Sequence, residues 1–219
     1  MKKKLNVLVL SPHADDAELG MGGTIAKLVQ QKNNVTILTA ILPKENLSGK
    51  VDRYMENKRY QEQLKSSKLL GAKLQTLNIN PYDFKFNREY VKIFDEKIKK
   101  IRPDVIFSCW EHDTHQDHKT LANIIFSVSR KNDISLYMYE AMLPGGINTN
   151  SFNPQLFVDI SKFMKTKIKS INCYKSVFHR KKNNYSNFME SITARAKFRG
   201  EMIGVKYAEC FVVVKKIEL

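Results

Sequence analysis

Apolar residues follow two rhythms along this chain. Short aliphatic or β-branched runs predict strands at Leu5 to Leu10, Val35 to Ile41, Val105 to Cys109, Phe157 to Ile160 and Cys210 to Lys215, with weaker runs at Ala72 to Ile79 and Tyr137 to Leu143. Longer segments between them carry apolar positions three or four apart. Val91, Phe94, Ile98 and Ile101 predict a helix over Tyr90 to Ile101. Further helices are expected around Thr24 to Lys32, over Arg53 to Leu70 with Gly71 at its end, over Lys119 to Ser129 and over Phe188 to Ile203. Asp159 to Phe178 carries one more, with Ser161 as its candidate cap. Polar loops fill Ser11 to Gly23, Pro43 to Val51 and Glu111 to His118, and Pro144-Gly145-Gly146 breaks the chain again.

Strands alternating with helices predict an α/β, Rossmann-like fold: a mostly parallel sheet with helices on both faces. There is no internal repeat, low-complexity stretch or linker, so residues 1–219 read as one domain. Sheets of this kind place ligands at the carboxyl ends of their strands. Two loops follow a predicted strand directly, and both are rich in acids and imidazoles.

Composition adds exclusions. Hydrophobic residues make up 42% and charged residues 27%, which suits a globular protein and excludes wholesale disorder. No apolar run approaches the roughly 18 residues a membrane helix needs. Leu5 to Leu10 is too short for a signal-peptide core, so a cytoplasmic protein is expected. The three cysteines, Cys109, Cys173 and Cys210, are too scattered for a disulfide framework or a thiolate metal site. The net charge of +15 raises nucleic acid or an anionic surface as a partner. The basic clusters Lys97 to Arg102 and His179 to Lys182 are not interleaved with aromatics, so the charge reads as a lysine-rich solvated surface and no nucleic acid is expected.

The first loop, Ser11-Pro12-His13-Ala14-Asp15-Asp16-Ala17-Glu18, sets one imidazole and three carboxylates within six residues. The second runs His112-Asp113-Thr114-His115-Gln116-Asp117-His118, so four of the five histidines fall in these two loops. Imidazole nitrogens and carboxylate oxygens suit zinc or another divalent metal, and a catalytic zinc takes three protein ligands. His13 and Asp16 could bind from one turn, and His118 could complete the set. Asp15 is then left over to act on water. The bland alternative is that Asp15 or Asp16 caps a helix.

His13 to Lys27, HADDAELGMGGTIAK, together with His115 to His118, HQDH, resembles the PIG-L/LmbE family of zinc-dependent N-acetylglucosaminyl de-N-acetylases. Arg59 and Glu62 before Leu70-Gly71, Phe157 to Ser161, and Gly204 to Glu209 extend the likeness over nearly the whole chain. The Ala after His13 and the Glu18-Leu19-Gly20-Met21-Gly22-Gly23 run resemble the bacillithiol-pathway branch. The chain departs from the family pattern in carrying Ala17 where Glu usually follows the two aspartates, and Gln116 where Pro is common. The resemblance implies that His13, Asp16 and His118 hold zinc and that Asp15 is the general base. It implies that His115 stabilises the oxyanion or protonates the leaving amine, with Asp117 orienting its ring. On this reading Asp15 keeps a low pKa and His115 a raised one. The implied substrate is a small N-acetylated sugar, of the N-acetylglucosamine type and anionic in view of the basic chain. A homo-oligomer is compatible with the sequence.

Arg59 is a candidate substrate anchor or helix ion pair. Arg195 and Arg199, four apart, could reach a phosphate or carboxylate on the substrate, or lie on a solvated face. Tyr207 and Glu209 read as structural, His112 as a loop histidine, and Trp110 as a sugar-flanking or packing residue. Two other classes stay open: a metallohydrolase of another amide or ester, and a basic binding protein without catalysis, which would explain the charge but not the loops.

Overall fold

The computed structural model describes residues 4–42, 53–130, 133–140, 150–178 and 182–218. The expected loop at Pro43 to Val51, the end of the strand expected to reach Leu143, the Pro144-Gly145-Gly146 break and most of the His179 to Lys182 cluster lie outside these residues.

Five strands, β1 (Asn6–Ser11), β2 (Asn34–Ile41), β3 (Lys73–Ile79), β4 (Val105–Cys109) and β5 (Ser135–Tyr139), are parallel neighbours. β7 (Ala208–Lys215) adds antiparallel to β5, and β6 (Leu156–Asp159) antiparallel to β7, giving the order β3-β2-β1-β4-β5-β7-β6. The predicted α/β, mostly parallel sheet is therefore the observed one. β1 is central, and Val7, Leu8, Val9 and Leu10 are all buried. A strand covered on both faces needs no polar alternation, which is why its sequence is continuously apolar.

The connecting helices are α1 (Asp16–Gln30), α2 (Arg53–Leu70), α3 (Arg88–Ile101) and α4 (Gln116–Ser129). The crossovers through α1 and α2 step one way along the sheet, and those through α3 and α4 the other. Right-handed crossovers then place the two pairs on opposite faces. The reversal lies between β1 and β4, so the crevice beyond their carboxyl ends is the topological switch point where such sheets bind ligands. The loops after β1 and β4 open there.

α5 (Met164–Ile171), α6 (Lys175–Phe178) and α7 (Lys182–Glu201) are the remaining helices among the described residues. The single helix expected within Asp159 to Phe178 is thus two. Ser161 does not cap it: the Ser161 hydroxyl accepts from the Tyr207 backbone N–H at 3.1 Å, while its own N–H donates to Asp159 Oδ1 at 2.8 Å. The break before α6 is held by Glu62, whose carboxylate accepts from the Ser176 N–H at 2.8 Å and its hydroxyl at 2.5 Å. α1 begins eight residues before the expected Thr24, and α4 three before Lys119. Residues read as loop in α1 are helical because they are buried all round, from Ala17 to Ala26. A Cβ at Gly20 would lie 2.3 Å from the Tyr139 ring, and one at Gly23 2.8 Å from Ile160, so only glycine lets this helix lie so close to these two side chains. No helix among the described residues is long and apolar enough to cross a membrane.

Candidate active site

The two loops meet at the switch point. Asp16 Oδ2 is the focus: it accepts from the His13 N–H at 2.9 Å and lies 3.1 Å from His13 Nδ1 and 3.3 Å from His118 Nε2. Around a tetrahedral zinc with bonds of roughly 2.0–2.1 Å, neighbouring ligand atoms stand roughly 3.3 Å apart. The separations of His13 Nδ1 and His118 Nε2 from Asp16 Oδ2 are of that size, so both pairs suit neighbouring positions on such an ion. His115 approaches as well, and one ring nitrogen from each of His13, His115 and His118 lies within 4.8 Å of the others. Two candidate ligand sets therefore share His13 and His118 and differ in Asp16 or His115. Asp16 is the more buried, at 14% side-chain exposure against 48% for His115.

Each shared imidazole is held from behind by a carboxylate. His118 Nδ1 lies 2.7 Å from Asp113 Oδ2, and His13 Nε2 lies 2.9 Å from Asp117 Oδ2. Asp113 was not among the expected site residues. Its only sequence signal is an acid five places before His118 in a loop that follows a strand. Asp117 is placed differently from expectation. Its carboxylate serves His13 and stays 3.8 Å from His115 Nδ1; it is the Asp117 backbone N–H that meets that nitrogen, at 3.2 Å. His115 therefore caps α4 with its own ring, and Nδ1 is the accepting nitrogen.

Protonation follows this wiring. Burial pulls His118 down, but the charge of Asp16 and bonds to Asp113 and Asp16 hold it up at about 10. Burial likewise opposes charge on His13, and bonds to Asp117 and Asp16 lift it to about 9. Burial pushes Asp16 up, but the two imidazoles outweigh it and hold the carboxyl far below the usual range. The carboxylates thus draw positive charge to a point where a divalent cation could supply it instead. The expected pattern for the other pair is reversed. Burial, with the charges of Asp16 and Glu18, raises Asp15 well above an ordinary aspartate despite His13 and Arg59. Burial and the charges of His13 and His118 lower His115, outweighing Asp117.

Asp15 takes the N-cap position of α1 with φ 114° and makes no side-chain capping bond, so the carboxylate is not spent on the helix end. A non-glycine residue there is strained by about 1–3 kcal/mol, the kind of cost structures concentrate at functional sites. Glu18, one place beyond the usual family position, points away from the centre. It is buried and accepts from Tyr174 OH at 2.7 Å and Ser66 Oγ at 2.8 Å.

Arg59 is half-buried and close enough for its charge to act on Asp15. Arg195 is not placed as a substrate anchor. Its guanidinium donates to the Leu19 carbonyl at 2.9 Å and lies 3.4 Å from the Glu140 carbonyl, while Arg199 pairs with the Glu140 carboxylate at 2.6 Å. Helical spacing alone could not distinguish a cation facing a ligand from one facing a backbone carbonyl. Trp110 is buried against Phe152 and His112, a packing role.

A diacetylchitobiose deacetylase from Thermococcus kodakarensis is 27% identical over 220 residues, spanning 93% of this chain and 80% of that protein. A conserved protein from Thermus thermophilus superposes with a TM-score of 0.78 at 25% identity, covering 98% of this chain and 97% of the other. An N,N'-diacetylchitobiose deacetylase from Pyrococcus horikoshii has a TM-score of 0.80 at 24% identity, over 95% and 83% of the two chains. The profile described as PIG-L, GlcNAc-PI de-N-acetylase, matches residues 8–129, which span β1 to α4 and contain both loops of the site. This chain belongs to the PIG-L family.

Proposed function

We propose that this chain is a zinc-dependent N-deacetylase that hydrolyses the acetamide of a small N-acetylated amino sugar, releasing acetate and a free amine, and that residues 1–219 act as one catalytic domain. The observation that carries this reading is the convergence of His13, Asp16 and His118 on one point, with the carboxylate of Asp15 left unused beside them. When bound there, zinc would polarise the acetyl carbonyl and lower the pKa of water at the site.

The chain's own residues divide the remaining work. Asp15 accepts the proton of the attacking water, the part of a general base beside the metal site. The same carboxyl returns that proton to the departing nitrogen. His115, with Nδ1 occupied as an acceptor, carries its proton on Nε2 and donates to the carbonyl oxygen as charge develops there. Its lowered pKa supports this neutral-donor role over that of an imidazolium acid. Asp113 and Asp117 orient His118 and His13. Arg59 remains the candidate contact for an anionic substituent.

The substrate class follows the relatives in kind. Diacetylchitobiose is an N-acetylglucosamine disaccharide, and the bacillithiol-like residues around Glu18 to Gly23 also point to an N-acetylglucosamine derivative. The test is acetate release from N-acetylglucosamine, N,N'-diacetylchitobiose and an anionic N-acetylglucosamine glycoside, using metal-stripped and zinc-restored protein. Zinc-dependent release from at least one of them is expected, with the anionic glycoside preferred. Hydrolysis confined to unrelated amides or esters would move the chain to another metallohydrolase class.

A further inference from the structure

A second cluster of ionised side chains lies behind the first loop, and the chemistry above does not use it. α1 is broken at Met21, where φ is −147° and ψ 26°. An unbroken helix would pair the Gly23 N–H with the Leu19 carbonyl and the Thr24 N–H with that of Gly20. Here both N–H groups donate to one carboxylate: Gly23 to Glu209 Oε1 at 3.0 Å, and Thr24 to Glu209 Oε2 at 2.6 Å. The Leu19 carbonyl accepts instead from Lys167 Nζ at 2.8 Å and Arg195 at 2.9 Å. Lys167 also meets Glu209 at 2.5 Å, and both side chains are buried. An anion thus caps the start of the second helical segment and two cations cap the end of the first, the arrangement that the helix dipole favours at each terminus.

The first segment is a single turn, and it carries the site. The Leu19 N–H donates to the Asp15 carbonyl at 2.9 Å. One residue therefore ties the backbone of Asp15 to Lys167 and Arg195. Lys167 from α5 and Arg195 from α7 converge on the Leu19 carbonyl, and Glu209 from β7 takes the two N–H groups across the break. Burying a lysine and a glutamate is costly, and apolar replacements of buried ion pairs often stabilise a protein. Stability alone is a weak reason for such a cluster here. The strained φ of Asp15 is a stronger one, because strained backbone persists only where its surroundings over-determine it.

We propose that Lys167, Glu209 and Arg195 are positioning residues: by capping both sides of the break in α1 they fix the turn that presents Asp15 and Asp16. This rests on the proposed function only for what Asp15 and Asp16 do. Lys167 and Glu209 act through backbone, not by touching substrate or metal.

The test is Lys167→Met and Glu209→Gln in the full chain. Zinc affinity is measured by competition with a chromophoric chelator, and kcat and KM by acetate release. Circular dichroism first establishes that each variant folds. Folded variants should bind zinc about 10–100-fold more weakly and lose kcat by a similar factor with KM within about twofold, as for other indirect supports of a metal site. Zinc affinity and kcat both within twofold of the parent in a folded variant would overturn the proposal. If Glu209→Gln does not fold, Glu209→Asp keeps the charge but shortens the reach to the two N–H groups. It should still weaken zinc several-fold, and parent-like affinity would overturn the proposal equally. The two readings fail separately. A parent that binds no zinc and releases no acetate defeats the proposed function, whereas an active parent with parent-like variants defeats the positioning role alone.

Discussion

The two strand-to-helix turns that build the site hold their side chains in opposite ways. The turn after β4 is self-contained. Asp113 Oδ1 accepts from the His115 N–H at 2.9 Å, His115 caps α4 and Asp113 Oδ2 holds His118, all within six residues and leading into an unbroken helix. The turn after β1 has local bonds of its own, with Ser11 Oγ donating to the His13 carbonyl at 2.6 Å and accepting from the Ala17 N–H at 3.1 Å, but the helix that it opens is held from elsewhere. Asp15 is strained, α1 breaks six residues later, and the groups that satisfy the broken backbone come from the last third of the chain. A self-contained turn orients imidazoles by side-chain bonds and tolerates change at a distance. A turn under strain can present a carboxylate that does not cap its own helix, at the expense of depending on remote residues.

The largest effects should come from the ligands that the two turns share. His118→Ala or Asp16→Ala removes a donor at the focus, and the loss of zinc affinity should exceed the roughly 10–100-fold typical of indirect supports. His115→Ala should keep zinc and lose activity. Metal content and acetate release for the three variants check this. If His115→Ala empties the site as completely as His118→Ala, the imidazole trio is the ligand set and Asp16 is an orienting group.

Asp15 gives the next effect and probes the strained turn. Asp15→Asn should retain zinc within a few-fold and lose about 10²- to 10⁴-fold in kcat, because the amide cannot accept the proton of water. Asp15→Gly should be equally inactive yet melt higher than Asp15→Asn, since glycine adopts φ 114° without strain. Equal melting temperatures would show that the turn stores no strain, and the contrast between the two turns would collapse.

In the self-contained turn the matching experiment is Asp113→Asn. It leaves a hydrogen-bonding partner for His118 Nδ1 but removes the charge, so zinc affinity or kcat should fall about 10–100-fold. Asp117→Asn should do the same through His13, not through His115. The discriminating measurement is the imidazole NMR spectrum: Asp117→Asn should shift His13 more than His115, and the reverse would restore the expected Asp117–His115 pairing.

The difference between the turns also explains what could be read from the sequence. Apolar runs gave the strands closely, with Val105 to Cys109 matching β4 at both ends, because a strand buried on both faces declares itself residue by residue. That the two post-strand loops would meet was foreseeable because imidazoles and carboxylates concentrate in them. Features that depend on distant partners were not legible. Gly20 and Gly23 read as loop, since only the close approach of Tyr139 and Ile160 explains glycines inside a helix there. The split between α5 and α6 needs Glu62, more than a hundred residues away. Asp117 adjoins His118 in sequence and lies two places from His115, but its carboxylate serves His13, 104 positions earlier. Arg195 faces a carbonyl that exists as a free acceptor only because α1 is broken.

The smallest effect expected is a pH dependence, and it tests whether the imidazoles of both turns share one cation. Without metal, His13 and His118 are held protonated at about 9 and about 10 by neighbouring carboxylates, above the 6.5 of an ordinary histidine. A group whose pKa is raised on folding contributes stability that is complete below its unfolded value and is lost as pH rises through its folded value. Metal-free protein should therefore melt progressively lower as pH climbs from about 7 to about 10. Zinc takes neutral imidazoles, so its binding near pH 7.5 should displace about two protons, and its apparent affinity should rise with pH over the same window. Calorimetry in buffers of different ionisation enthalpy counts those protons, and melting curves of zinc-loaded protein should be nearly flat over the range where the metal-free curve falls. Release of one proton would mean that only one of the two turns contributes an imidazole to the ion. Release of none would separate the charged cluster from metal binding altogether.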